Sequence, residues 1–456
     1  MEMKQLVERQ KKFFATQRTH SIAFRLQALE RLEQGILDME QEIYDALKAD
    51  LNKSSFEAYM AEVGMTLAEL RFVKKRLKLW AMKRPVLTPA AQFPAVSFTM
   101  AEPYGVVLIM SPWNYPFMLC MEPLVGAIAA GNCCVLKPSA YSAATSAVIV
   151  KLIKKVFPSR YVTVVEGGRK ENAELLDQRF DYIFFTGGVT VGKLVMEKAS
   201  QNLTPVSLEL GGKSPCIIDA TADISMAAKR LVFGKFLNSG QTCVAPDYVM
   251  VQDTVEEELI SQVQYWIRKM YGTDPLANPD YPKIINEKHF QRILGLIEGQ
   301  EVVAGGQSNS ETRQIAPTVL THVSPDAPVM QEEIFGPVMP ILTFRSLNEV
   351  KKIIASHGKP LALYLFTTDA RTENQILGHI SYGGGCVNDT IVHLATSRMG
   401  FGGVGGSGMG SYHGKLSFET FSHRKSIVKK ANWLDIPIRY QPYDAVKEKL
   451  LRAFLK

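Results

Sequence analysis

Along the first 80 residues the apolar positions recur every three or four residues. In HSIAFRLQALERLEQGI, Ile22, Leu26, Leu29 and Leu32 fall on one face, and the stretch to about residue 80 reads as helices. Pro85, Pro89 and Pro94 break the pattern and mark a connector. The rhythm then changes. Short β-rich runs, YGVVLIM (104–110), NCCVLKP (132–138), YVTVVEG (161–167) and YIFFTGG (182–188), alternate with helical stretches such as 140–157 and 192–201. This alternation predicts a parallel sheet with helices on both faces. A second alternation begins near Gly211. PCIID (215–219), DYVMVQD (247–253), PLALYLFTT (360–368) and GGGCVND (383–389) read as strands, and 223–238, 254–270, 286–299 and 347–357 as helices. In FGGVGGSGMG (401–410), six glycines in ten residues point to close backbone approach or turns.

Composition narrows this picture. With 456 residues, 46% of them hydrophobic, the chain can bury the cores of two or three domains. No run of about 20 apolar residues is available to span a membrane, and Met1 to Lys12 is charged, without an apolar export core. Six cysteines, mostly in apolar stretches, form no CxxC pair and no Cys/His cluster with metal spacing. A reducing cytoplasm is expected, and no metal. The net charge of +7 is uneven: Arg424 to Lys456 holds nine Lys/Arg against three Asp/Glu, a balance of +6. That tail reads either as a solvated helical surface or as a weak attractor for an anionic membrane surface. It lacks the interleaved aromatics of a nucleic-acid binder. Its end, YDAVKEKLLRAFLK, places Val446, Leu450, Leu451 and Phe454 on one face, fit to pack at a subunit interface or to lie on a membrane.

Four segments could carry chemistry, and each has a plain structural alternative. NSGQTCVAP (238–246) puts Cys243 after a small polar turn that leaves the sulfur open, whereas the other cysteines have apolar or close-packed neighbours. Cys243 is a nucleophile or a core thiol. VSLELGGKSP (206–215) sets Glu209 between two leucines, where desolvation raises a carboxyl toward the range of a general base. The alternative is an ion pair with Lys213. In IMSPWNYP (109–116), Asn114 can donate to a developing oxyanion or can satisfy its own turn. FFTGGVTVGK (184–193) is a strand, a Gly-rich turn and a helix start, a natural phosphate cradle. Gly187 to Lys193 matches GxxxxGK of nucleotide triphosphatases, yet Leu194 stands where that loop needs Ser or Thr.

Taken in order, PWNYP, KPS, FTGG followed by Gly192, LELGGKSP, GQTCVAPDYV, EEIFGPV and FGGVGGSGMG resemble the aldehyde dehydrogenase family over about residues 10–443. PKIINEKHF, IAPTVL and SYHGKLSFETFSHRKS resemble its class 3 branch, which includes fatty aldehyde dehydrogenases. The resemblance implies a Rossmann-like dinucleotide-binding domain, a second α/β catalytic domain and a small oligomerisation element. These would occupy 1–210 with a bridging and oligomerisation segment near 85–102, then 211–398 carrying Cys243, then 399–456, which returns to the cofactor domain and adds an oligomerisation strand and a C-terminal tail. It implies NAD(P)-dependent oxidation of an aldehyde to the acid through a thioester on Cys243. Glu209 would activate the deacylating water, and Asn114 with the Cys243 backbone amide would form the oxyanion hole. Lys137 would bind the adenosine ribose, Gly187, Gly188, Val189, Thr190, Val191 and Gly192 would lie near the pyrophosphate, Glu333 would hold the nicotinamide ribose and Phe335 would pack beside the ring. A homodimer is implied as well.

Two departures bear on specificity. Ala140 stands where an acidic residue often follows KPS, which removes a carboxylate that repels a 2′-phosphate and opens the site to NADP beside NAD. Met399-Gly400 replaces the commoner Leu-Pro near the substrate entrance. Tyr115, Leu119, Phe236, Leu237, Ile391, Leu394 and Phe401 flank the motifs and could line an apolar funnel for medium or long aliphatic or aromatic aldehydes, or could be ordinary core. His413 reads as structural. The rivals are a CoA-acylating or phosphorylating relative, against which Glu209 argues, a triphosphatase using Gly187 to Lys193, and a relative that has lost its chemistry.

Overall fold

The computed structural model describes residues 2–455, the side chain of Phe454 excepted. Its N-terminal part is helical: Met3–Ala15, Ile22–Asp38, Glu40–Leu51, Ser55–Ala58 and Gly64–Trp80, with a π-helical turn at Tyr59–Val63. Ser21 begins the second helix by accepting a hydrogen bond from the Phe24 amide, as an N-cap should. Its buried face is Ala28, Leu29, Leu32 and Ile36, with Ile22 and Leu26 half-buried at the margin. The apolar stripe is therefore shifted round the helix from the predicted one.

The first sheet runs in the order Gly408–Met409, Val206–Glu209, Tyr182–Thr186, Val106–Met110, Cys133–Lys137, Val162–Val164. All neighbours are parallel except Gly408–Met409. Counted from Val106–Met110 along the chain, the five parallel strands stand in the doubly wound order 3-2-1-4-5. Their residues are nearly all buried, because the helices Met118–Ala130, Ala143–Val156 and Val189–Ser200 connect them across the two faces. The switch point lies between Val106–Met110 and Tyr182–Thr186, whose carboxyl ends lead into IMSPWNYP and FFTGG.

The second sheet has seven strands, in the order Glu301–Ala304, Thr318–Thr321, Val338–Phe344, Tyr248–Gln252, Pro215–Ile218, Ala362–Phe366, Gly384–Val387. Thr318–Thr321 and Val338–Phe344 were not among the predicted strands. IAPTVL and GPVMPILTF are short apolar runs in which strand and buried helix cannot be told apart by period. The proline connector is also more ordered than expected. Arg84–Val86 and Ala95–Pro103 form an antiparallel sheet with Ser422–Lys430, the last two pairing over nine residues. Among the described residues no helix is long and apolar enough to cross a membrane.

Candidate active site

The segment holding Cys243 has an unusual backbone. After the helix Ile224–Phe236, Asn238, Ser239 and Gly240 take φ of 51°, 50° and 71°, three left-handed residues in succession. Only glycine fits the third place, since a Cβ on Gly240 would lie 2.2 Å from the Gly336 carbonyl oxygen. The turn is held by its own side chains. Ser239 Oγ donates to the Pro282 carbonyl at 2.7 Å, Gln241 Nε2 to the Lys283 carbonyl at 3.0 Å, and Gln241 Oε1 accepts from the Ile285 amide at 3.1 Å. PKIIN, read above only as a class signature, is thus the anchor of the Cys243 turn.

Asn114 follows the strand Val106–Met110 and is tied to the same turn. Its Nδ2 donates to the Gln241 carbonyl at 2.9 Å, and its own carbonyl accepts from Asn238 Nδ2 at 2.8 Å. The next residue repeats the link, with the Tyr115 hydroxyl 2.6 Å from Thr242 Oγ1. Glu209 ends the strand Val206–Glu209. Both of its carboxyl oxygens are buried without a hydrogen-bond partner, and burial raises its pKa well above the ordinary carboxylate value. Lys213 does not neutralise it. That ammonium pairs with Asp247 and donates to the carbonyls of Val329 and Glu332, while Asp247 accepts from the Ile334 amide at 2.8 Å. The lysine of LELGGKSP therefore fastens the EEIFGP loop.

Cys243 is half-buried rather than open. Desolvation first, then the Glu333 and Glu209 carboxylates, push its thiol up to about 12. Two cavities meet at this sulfur. One, of about 880 Å³, is lined almost wholly by apolar groups, among them Tyr115, Leu119, Leu237, Ile391, Leu394 and Phe401. Phe236 is fully buried behind it. Met60, Ala61 and Met65 also line it; their helical region gave no sequence signal for a pocket. His413 reaches its edge and lies 3.1 Å from Glu122 Oε2 and stacked on Phe401, and the Glu122 contact holds its pKa up despite burial.

The other cavity, about 1330 Å³, occupies the switch point. Gly187, Gly188, Val189, Thr190, Glu333, Phe335, Asn114 and Glu209 line it, with Trp113, His289 and Arg292, which sequence reasoning missed. The residues fit a dinucleotide. The helix Val189–Ser200 has no side-chain cap, so its first amides are free for phosphate, and a Cβ on Gly188 would meet nothing within 4 Å. Three predicted cofactor residues lie elsewhere. Val191 is exposed on the helix, and Gly192 packs beneath it, where a Cβ would be 2.7 Å from Leu210. Lys137 ends its strand outside the cavity, its ammonium donating to the carbonyls of Pro138 at 2.9 Å and Gly167 at 2.6 Å.

The Gly-rich run does what its composition suggested. Gly408 has φ of +140° and a Cβ there would lie 2.1 Å from the Leu208 carbonyl oxygen, so its backbone can lie directly against the Glu209 strand.

The profile of the aldehyde dehydrogenase family matches residues 1–427. The chain belongs to the aldehyde dehydrogenase family. As an aldehyde dehydrogenase it is an oxidoreductase that oxidises an aldehyde with NAD or NADP. It is 47% identical over 448 residues to the 4,4'-diaponeurosporen-aldehyde dehydrogenase of Staphylococcus aureus (strain NCTC 8325 / PS 47), covering 98% of this chain and 97% of that one. It is 45% identical over 425 residues to the dimeric NADP-preferring aldehyde dehydrogenase of Rattus norvegicus, covering 93% and 94%. A solved structure titled as the substrate-bound state of Staphylococcus aureus AldH superposes with a TM-score of 0.98 at 46% identity, covering 99% of both chains. Family 3 members recur among the relatives, in agreement with the class 3 branch read from the sequence.

Proposed function

We propose that Cys243 is the nucleophile of this aldehyde dehydrogenase, and the observation that carries the reading is its place where an apolar and a switch-point cavity meet. The aldehyde enters by the apolar cavity. Cys243 gives its proton to water and its sulfur adds to the carbonyl carbon, forming a C–S bond. The carbonyl oxygen becomes an oxyanion, received by Asn114 Nδ2 and the Cys243 amide. Glu333 and Phe335 in the second cavity would hold a nicotinamide, which would supply the hydride acceptor; loss of hydride from the Cys243 adduct leaves the acyl group as a thioester. Glu209, lining that cavity, then takes a proton from water, hydroxide adds to the acyl carbon, and the C–S bond breaks to give acid and a thiolate, to which the Glu209 proton returns. Water as acceptor, rather than CoA, is supported by this unpartnered carboxyl.

Glu333 and Phe335 hold the nicotinamide end, and Gly187 to Thr190 the pyrophosphate. Lys137, with two of its three N–H donors taken by carbonyls, keeps one for a ribose hydroxyl. With no acidic residue at Ala140, NADP serves beside NAD, in keeping with the preference named for the rat relative. That relative is dimeric, and a homodimer built on the sheet of Ala95–Pro103 and Ser422–Lys430 belongs to the same proposal, as does a cytoplasmic setting for six free thiols. The substrates are medium or long aliphatic or aromatic aldehydes.

Stopped-flow NADH production tests the assignment. Cys243→Ser should abolish oxidation. Glu209→Gln should keep a rapid NADH burst of one equivalent per site and slow the steady rate by about 10²–10⁴-fold. A Glu209→Gln enzyme with neither burst nor slowed deacylation sinks the base assignment.

A further inference from the structure

Behind the Asn114 turn lies an ion pair that the chemistry above does not use. Lys53 and Glu62 are both fully buried, Nζ to Oε1 2.6 Å. Taking two charges out of water is costly, and a well-packed apolar pair would often be as stable. What the pair touches explains it better than stability does. Lys53 Nζ donates to the Asn114 carbonyl at 2.9 Å and lies 4.0 Å over the Tyr115 ring. Glu62 Oε2 accepts from the amides of Phe117 at 2.9 Å and Met118 at 3.0 Å, the next residues of the same turn. Four of the five residues from Asn114 to Met118 are thus gripped by these two side chains.

The π-helical turn Tyr59–Val63 makes this possible. Such turns recur at functional sites because the extra residue re-aims side chains. Here Met60 and Ala61 face the aldehyde cavity while Glu62, adjacent, is directed inward to Lys53. The wall of the apolar cavity and the support of Asn114 are consecutive residues of one turn.

We infer that Lys53, held by Glu62, is a positioning residue for the oxyanion hole: its donation to the Asn114 carbonyl fixes where the Asn114 amide points. This rests on the role proposed for Asn114. An amide misplaced by about 1 Å is enough to slow a reaction on the order of a hundredfold.

The test uses two charge-free pairs, so that neither Lys53 nor Glu62 is left as a buried ion without the other. In Lys53→Met/Glu62→Gln the amides of Phe117 and Met118 keep an acceptor, but the Asn114 carbonyl loses its donor from position 53. In Lys53→Gln/Glu62→Gln an uncharged donor returns. The expected result is a burst rate at least about tenfold below wild type in the first pair, with substantial recovery in the second. KM for the dinucleotide and the rate of Cys243 alkylation by iodoacetamide stay within about twofold in both, which a general loss of structure would not allow. Equal burst rates in the two folded pairs, or a methionine pair within twofold of wild type, overturn the inference. If only the glutamine pair folds, a burst slowed a hundredfold there overturns it too, since the donor is present. Asn114→Ala, run alongside, separates the two levels: an unslowed burst there removes the oxyanion role itself, whatever Lys53 does.

Discussion

At the scale of single residues the site is a set of desolvated groups with opposing needs. Glu209 has to ionise to act as a base, yet among the described residues it has no hydrogen-bond partner to stabilise its charge. Its raised pKa means that ionisation costs more in the fold than in the unfolded chain, where a glutamate titrates near 4.3. The stability this group lends is full below that value and is lost as pH rises toward the folded pKa. Glutamine does not titrate. The melting temperature of Glu209→Gln should therefore gain on wild type between pH 5 and pH 8, by about 1 °C for each kcal/mol involved. A constant difference over that interval, read by calorimetry, contradicts the assignment. Thiol ionisation has the same sign. With Cys243 pushed up to about 12, kcat/KM should climb with pH across the neutral range, and a rate independent of pH from 6 to 9 would require another source of the thiolate.

At the scale of elements the site depends on one left-handed turn. Gly240→Ala brings a Cβ to 2.2 Å from a carbonyl oxygen of Gly336, itself part of EEIFGP, so the substitution shifts the Cys243 turn and the cofactor loop together. It should lower kcat/KM more than a hundredfold while Gly188→Ala, where a Cβ meets open space, changes the fold little and acts on dinucleotide KM. Parallel kcat/KM and KM measurements on the two variants check this. Such contrasts show where sequence reasoning reaches. The strands and helices bounding Asn114, Gly187 and Glu209 were legible because their apolar runs are short, punctuated by glycine and proline, and buried on both faces. The Gly408 contact was legible as a composition, since six glycines in ten residues imply close backbones. Ser422–Lys430 was reached only through the resemblance, as a strand somewhere in 399–456, because its partner is more than 300 residues away and five of its nine residues are charged or histidine. Lys53 and Glu62 were invisible for a related reason: a charged residue in a helical region reads as surface until its partner is known. Lys137 was placed by motif alone, and the motif could not reveal that two carbonyls already hold its ammonium.

At the scale of the whole molecule the two sheets face a common crevice, and the division of labour follows from what each supplies. The switch point supplies free helix amides and buried carboxyls, and the apolar cavity comes from the N-terminal helices, the Ile224–Phe236 helix and the 391–413 segment. The tail lies outside both. Its helix Ala445–Phe454 leaves Val446, Leu450 and Leu451 exposed, while the fourth residue of the predicted face, Phe454, has a side chain outside the described residues. The cavity makes the sharpest demand on substrate. Met60, Met65, Phe233, Leu237, Ile391 and Phe401 offer no hydrogen-bond partner beyond the reacting carbon. A longer aldehyde therefore gains only by burying methylenes, each worth about 0.8 kcal/mol or roughly fourfold. From butanal to octanal kcat/KM should rise on the order of a hundredfold, then level off once the chain fills the cavity and extends into water. Met65→Glu, which places a carboxylate in that wall, should flatten the rise and leave the rate with short aldehydes nearly unchanged. A wild-type profile already flat from two to ten carbons would mean that this cavity is not the aldehyde's path to Cys243.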